Sequence, residues 1–375
     1  MSTGAQVRPA FQGASEAALL ITCLRGLSPR VPADIDWLAL QRMAAENGVL
    51  PLLYQSLQRA GAEMPEDFVA AALESRRAAE RLASELARLL QRFTERGIEV
   101  LPLKGPALAL ELYGDAALRS CKDLDLLVRH SDFSRGEALL QEHGFIAGSI
   151  NESERRFLRE GISVELHFDI TSPNIYRFDL DGIWERSRRE DFRGSQIRAM
   201  LREDLVLFLS SHGLSHGFAR LIWILDLARA LDGLDETGCR RLTLNAERAG
   251  PVSWFLIGCE VVRAMFPNCF PDALNAAIAK FPREAERARR AAARLFAEGL
   301  GGVAGTYRSS YLESRGGAIA RWRHRWSYLS PTAEDYRWAE RHGIDRRLMP
   351  ILRPFRLLQK YGPARAWRVI FPAPI

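Results

Sequence analysis

The stretch KDLDLLV, residues 122–128, admits few structures. Its leucines and aspartates alternate with a period of two, which is the repeat of a β-strand and not the 3.6 of a helix. Residues two apart share a face, so Leu124 and Leu126 turn to a core while Asp123 and Asp125 project together from the other side. Two carboxylates held side by side repel, and the partner they prefer is a hard divalent cation with oxygen ligands.

The flanking sequence supplies more of the same chemistry. IEVLPLKG (98–105) reads as a strand running into Gly105, and Pro106 suits the first turn of a helix over 106–113 that stops at Gly114. SDFSRGEALLQEHG (131–144) predicts a helix capped by Ser131. GISVELHFDI (161–170) predicts a third strand, on which Val164, Leu166 and Phe168 alternate with Glu165, His167 and Asp169. If the strands are neighbours, Glu165 adds a third carboxylate to the pair.

Three carboxylates near a glycine turn suit two-metal phosphoryl transfer, with metals about 3.5–4 Å apart stabilising the attacking and leaving oxygens. Gly105 lets the backbone approach a phosphate, and the helix start at Pro106 favours an anion. Lys104 or Arg119 adds positive charge for a triphosphate. His167, on the same strand face as Glu165, either positions an acceptor hydroxyl or hydrogen-bonds a metal-bound carboxylate.

Residues 14–95 read as helices: one with Ser15 as cap, one starting at Pro32, one ending at Gly61, and a long amphipathic one from Pro65 to Gly97. From Arg202 to about Glu298 the pattern is helical again, and the Gly-rich 300–320 reads as a loop. LSSHGLSHGFARLIWILDLARAL (209–231), taken as one helix, puts His212, His216, Arg220, Trp223 and Asp226 on a single arc. Either Arg220 contacts phosphate while His212 or His216 orients nucleotide or acceptor, or the arc is a polar seam in which Asp226 pairs with Arg220. The His-x-x-x-His spacing lacks the glutamate of a HExxH metalloprotease.

Charge and cysteine usage narrow the setting. Of the net +6, the segment 318–375 carries twelve Lys/Arg against four acids, or +8, leaving the rest near −2. That end also holds Trp322, Trp326, Trp338 and Trp367, a composition that suits RNA, an anionic surface or an acidic partner as readily as a solvated helical face. The five cysteines are scattered without CxxC pairing, which argues for a reducing compartment, the cytoplasm by default. No apolar run is long enough to span a membrane, and the first twenty residues do not read as a secretory signal.

At LPLKGPALALELYGDAALRSCKDLDLLV, VELHFDI and HGLSHGFARLIWILDLA the chain resembles nucleotidyltransferases of the DNA polymerase β-like superfamily. More narrowly, residues 85–230 are similar to a bacterial family of uncharacterised nucleotidyltransferases. The resemblance implies an α+β fold, with a small mixed-sheet nucleotidyltransferase core flanked by N- and C-terminal helical regions. The division expected is 1–95 helical, 96–200 α/β core, 201–300 a helical domain completing the cleft, and 301–375 a basic Trp-containing region. Carried over by position, Asp123, Asp125 and Glu165 match the catalytic metal-binding acids, and Lys104-Gly105 the nucleotide-side turn. The superfamily usually has Gly-Ser or Gly-Gly there and Asp as third acid; this chain offers no hydroxyl and has Glu165.

The implied activity is Mg²⁺- or Mn²⁺-dependent transfer of a nucleoside monophosphate from an NTP such as ATP to a hydroxyl acceptor, releasing pyrophosphate. The acceptor would be a small molecule, a peptide or protein, or RNA. Two alternatives stay open: a binding protein using the basic end beside a degenerate core, and transfer of a sugar or simple phosphate at the same metals.

Overall fold

A computed structural model describes residues 15–150, 153–170, 178–250, 252–297, 335, 338–339 and 342–361. Three helices, α1 (Ser15–Leu24), α2 (Trp37–Glu46) and α3 (Leu50–Arg59), precede the 30-residue α4 (Glu66–Glu95). The second helix starts later than Pro32 predicts. The carboxylate of Asp36 accepts the Ala39 amide 2.9 Å away, and that cap decides the boundary.

The sheet is mixed and five-stranded, in the order β1 (Val100–Pro102), β2 (Asp123–Val128), β5 (Ile162–His167), β4 (Glu154–Arg159), β3 (Ile146–Ile150). The β2–β5 pair is parallel and the other pairs are antiparallel. Between β1 and β2 runs α5 (Gly105–Tyr113); α6 (Phe133–Glu142) follows β2. Ser131 lies in a 3-10 turn ahead of α6 and does not cap it. The α+β architecture thus has its small mixed sheet between helical regions on both sides.

Four strands go beyond the sequence expectation: β3, β4, and a separate hairpin of β6 (Arg188–Phe192) and β7 (Ser195–Ala199) after the short α7 (Leu180–Arg186). On β4 only Phe157 is fully buried, and on β3 nothing is, so neither shows an apolar alternation. Their turns do carry a signal. Glu160-Gly161 joins β4 to β5 and Arg193-Gly194 joins β6 to β7, and all four residues have positive φ. That is the conformation of a two-residue type I′ hairpin loop.

Each face of the sheet meets a different core. Leu124, Leu126 and Val128 of β2, Phe157 of β4, and Val164 and Leu166 of β5 pack with Leu86, Leu89 and Phe93 of α4 and with Leu139 and Leu140 of α6. The second core joins α1–α3 and the start of α4, through Phe68 and Ala72, to the later helices. These are α8 (Arg202–Ser215), α9 (Leu221–Asp232), α10 (Glu236–Ala249), α11 (Ser253–Met265), α12 (Asp272–Ile278) and α13 (Pro282–Ala297). The long α4 therefore belongs to both cores.

Residues 209–231 do not form one helix. The first half ends at Ser215, the chain turns through Gly217 (φ 60°) and Phe218 (φ 47°), and α9 begins at Leu221. Phe218 folds back onto Gly213, where an added Cβ would run into its ring. Asn47, at the end of α2, receives the Leu221 amide on its Oδ1 at 3.0 Å and so caps α9. The pairing of Asp226 with Arg220 is also replaced. Arg119 Nε donates to Asp226 Oδ2 at 2.9 Å, Tyr113 OH donates to Oδ1 at 2.7 Å, and Arg220 Nε donates to the Glu46 carbonyl at 3.0 Å.

Of the C-terminal tryptophans, Trp322, Trp326 and Trp367 fall outside the described residues, as does the Gly-rich 300–320. Trp338 stacks on His342 at 4.5 Å and lies under Arg356, while Asp335 holds both Arg353 and Arg356. Among the described residues no helix is long and apolar enough to cross a membrane. All five cysteines are unpaired.

Asp226 is fully buried and Arg119 is 4% exposed. Removing one partner of such a pair leaves the other charge uncompensated. Asp226→Ala should lose about 3–5 kcal/mol in urea unfolding. Tyr113→Phe, which removes one hydrogen bond to a charged group, should lose roughly 1.5–3 kcal/mol in the same assay.

Candidate active site

The parallel register sets Asp125 directly beside Glu165 and Asp123 beside Ser163. On the far side of β5, β4 places Arg156 opposite Glu165 and Glu154 opposite His167. One face of three strands thus gathers Asp123, Asp125, Glu165, His167, Glu154 and Arg156. They line a cleft of about 460 Å³, together with Lys104, Arg119 and Cys121 and, from the helical region, His212, His216, Arg220 and Trp223. Every site residue expected from the sequence lines this cleft except Gly105, which sits at its edge. Gly105 has φ 73°, a conformation that favours glycine, and an added Cβ would come within 3.7 Å of the Asp123 carbonyl.

Glu154 and Arg156 were not legible as site residues, because β4 itself was not. The Glu160-Gly161 turn was the available signal: a hairpin there brings 154, 156 and 158 back along the Glu165 strand with one facing.

Asp125 is the centre of the charge arrangement. It is 2% exposed, and Lys104 Nζ stands 3.0 Å and His167 Nε2 3.4 Å from its Oδ1. Burial alone would raise its pKa, but Lys104 and His167 outweigh burial and hold the carboxyl far below the usual range. Burial likewise opposes charge on Lys104 and His167, and Asp125 overcomes it in both, so both pKa values rise. Asp123 and Glu165 go the other way: burial, then repulsion from Asp125, raises both. Arg156 offsets part of this at Glu165, with Nη2 2.9 Å from Oε1. His167 Nδ1 stands 3.2 Å from Glu154 Oε2, so the imidazole sits between two carboxylates.

These residues fit a divalent cation. Donor atoms of Asp125, Glu165 and His167 lie within 4.8 Å of one another. Despite its charged neighbours, neither oxygen of Asp125 accepts a hydrogen bond of good geometry, so a buried anion retains open lone pairs. Two carboxylates and one imidazole are a donor set for a divalent cation. Asp123 adjoins this group one step along the same strand face. Nucleophilic catalysis by Cys121 is disfavoured, because burial pushes its thiol up to about 11.

The helical side of the cleft is aromatic. The His212 and His216 rings lie 4.7 Å apart and 5.3 and 5.1 Å from Trp223. The break between α8 and α9 achieves this convergence, where a single helix was expected to supply it. Arg220 lies 5.9 Å from the Trp223 ring. His212 Nε2 is shut off from solvent without a hydrogen-bond partner, and burial holds its pKa well below the ordinary histidine value.

A histidine kept neutral by the fold stabilises it fully above the unfolded pKa of about 6.5, and that stability is lost as pH falls below it. The melting temperature of the wild type should therefore drop more between pH 7 and pH 5 than that of His212→Gln. Equal slopes in calorimetry at the two pH values would contradict this environment for His212.

Comparison with known proteins places the chain in a family. No curated protein matches the chain. Among solved structures, an antigenic nucleotidyltransferase-like protein from Paracoccidioides brasiliensis is similar at 19% identity, covering 57% of this chain and 94% of its own, with a TM-score of 0.30. A family model described as uncharacterised nucleotidyltransferase matches residues 33–267, a span that holds both the acid-bearing sheet and the aromatic wall. The chain belongs to this family of nucleotidyltransferases.

Proposed function

We propose that this nucleotidyltransferase moves a nucleoside monophosphate from an NTP to a hydroxyl acceptor, with release of pyrophosphate, using a divalent cation held by Asp123, Asp125 and Glu165. The observation that carries this reading is the alignment of Asp125 with Glu165 across β2 and β5, with the buried Asp125 Oδ2 left without a hydrogen-bond partner. Mg²⁺ or Mn²⁺ bound there would supply charge stabilisation to the phosphoryl oxygens and lower the pKa of an attacking hydroxyl.

The chain's own groups account for binding and orientation. Lys104 and the Gly105 turn at the start of α5 face the triphosphate, a cation and a close backbone approach on the same side of Asp125. His167, with Glu154 on its other side, would balance part of the Asp125 charge. Glu165 has its pKa raised by burial and by neighbouring acids, which suits a group that takes a proton from the acceptor hydroxyl. Trp223, His212 and His216 offer ring faces to the base, and Arg220 a guanidinium at the rim. In this reading the segment 201–300 completes the cleft that the 96–200 core opens.

Incubation with each NTP and Mg²⁺ or Mn²⁺, with cell extract as acceptor source, should yield pyrophosphate and a nucleotide adduct by mass spectrometry. The mass of the adduct separates nucleotidyl from phosphoryl or sugar-phosphate transfer. Asp125→Asn removes several kcal/mol of charge organisation and should cut turnover roughly 10³-fold. If no NTP gives product or raises the melting temperature with metal present, the nucleotidyl reading fails.

A further inference from the structure

Lys104 and Arg156 each form an ion pair with an acid of the cleft, and they are held differently. Lys104 is 15% exposed in its side chain and pairs with the buried Asp125. Arg156 is 52% exposed and pairs with Glu165, its own register partner on β5. The neighbouring Arg155 points to the other face of β4, where it meets Glu137 at 2.9 Å. Arg156 is thus the guanidinium that β4 directs into the cleft, tethered through a single nitrogen to an acid of the cation cluster.

A divalent cation at that cluster draws on the same Glu165 carboxylate. The two positive charges would compete for it, and Arg156, half-exposed and tethered through one nitrogen, would be the one to give way. The guanidinium then stands in the cleft with its planar fork available, and that fork matches the oxygens of a phosphate.

We propose that Arg156 is an exchange residue: it holds Glu165 while the cation is absent and, displaced by the cation, binds a phosphate oxygen in the cleft. The assignment of phosphate as the anion rests on the transfer reading; the displacement from Glu165 does not. Cation and phosphate binding then become linked, each strengthening the other by the same factor. The phosphate belongs either to the NTP or to a phosphate-bearing acceptor, and both present the same oxygens to a guanidinium.

The test uses the full chain as wild type, Arg156→Gln and Arg156→Lys, with Arg155→Gln as a control for charge lost from the opposite face. Mn²⁺ affinity is read by electron paramagnetic resonance of the free ion. Calorimetry gives the affinity for a non-hydrolysable ATP analogue and for a nucleoside monophosphate, each without metal and at saturating Mn²⁺. Arg156→Gln should bind Mn²⁺ alone roughly two- to fivefold more tightly, the worth of an exposed ion pair. It should also lose about tenfold in phosphate affinity at saturating Mn²⁺ and little without metal, while Arg156→Lys falls between. Loss confined to the triphosphate analogue assigns the contact to the NTP, and loss confined to the monophosphate assigns it to the acceptor.

Unchanged Mn²⁺ affinity in Arg156→Gln, or a phosphate loss equal with and without metal, overturns the exchange. None of these readings needs turnover. A protein that shows the linkage yet yields no NTP-derived product keeps the exchange and loses the transfer reading, and the reverse result separates them the other way.

Discussion

The parallel register of β2 against β5 governs the rest of the site. With a side-chain period of two, a slip of one residue would send Asp125 into the core beside Phe93 and bring Leu124 to the cleft. Burial of Leu124, Leu126, Val164 and Leu166 against α4 and α6 makes that slip costly, so apolar packing on one face holds the acids in line on the other. Everything polar nearby answers the charge this alignment concentrates. Lys104 and His167 stand by Asp125, Arg156 by Glu165, and Glu154 by His167.

A cleft between a sheet and a set of helices also needs a fixed width. The buried Arg119–Asp226 pair, with Tyr113 on the second Asp226 oxygen, ties the segment between α5 and β2 to α9. Asn47 and the Glu46 carbonyl tie the start of α9 to α2. These bonds use Arg119, which read from sequence as charge for a triphosphate, and Asp226, which read as part of a polar seam, and they anchor the aromatic side of the cleft. Arg119 can line the cleft and still have a structural role, because its Nε is held by Asp226.

Much of this was legible where a local pattern coincides with a tertiary requirement. The DLDLLV alternation announces a strand with one acid face, and Gly105 marks a turn that the backbone conformation demands. The helices of the flanks follow from their periodicity, and family membership over 33–267 agrees with a resemblance resting on the same motifs. Other elements were hidden for specific reasons. The edge strand β3 buries nothing, and β4 buries only Phe157, so neither shows the alternation that reveals a half-buried strand. The histidine stretch looked like one helix because its apolar spacing continues across the break, although Gly213 and Gly217 mark the place where Phe218 turns the chain.

By itself the sequence determined which residues can share a face: Asp123 with Asp125, and Glu165 with His167, since that follows from the two-residue period of an extended chain. It also determined that the acids lie on a sheet between helices, and to which family the chain belongs. The tertiary structure alone decided which acids meet. Asp125 is opposite Glu165 because β2 and β5 are parallel neighbours in one register, and register depends on how two distant apolar faces pack. It also decided the partners, giving Asp226 to Arg119 and Glu165 to Arg156. Ion pairing over such separations is chosen by burial and distance, and neither quantity exists until the chain has folded.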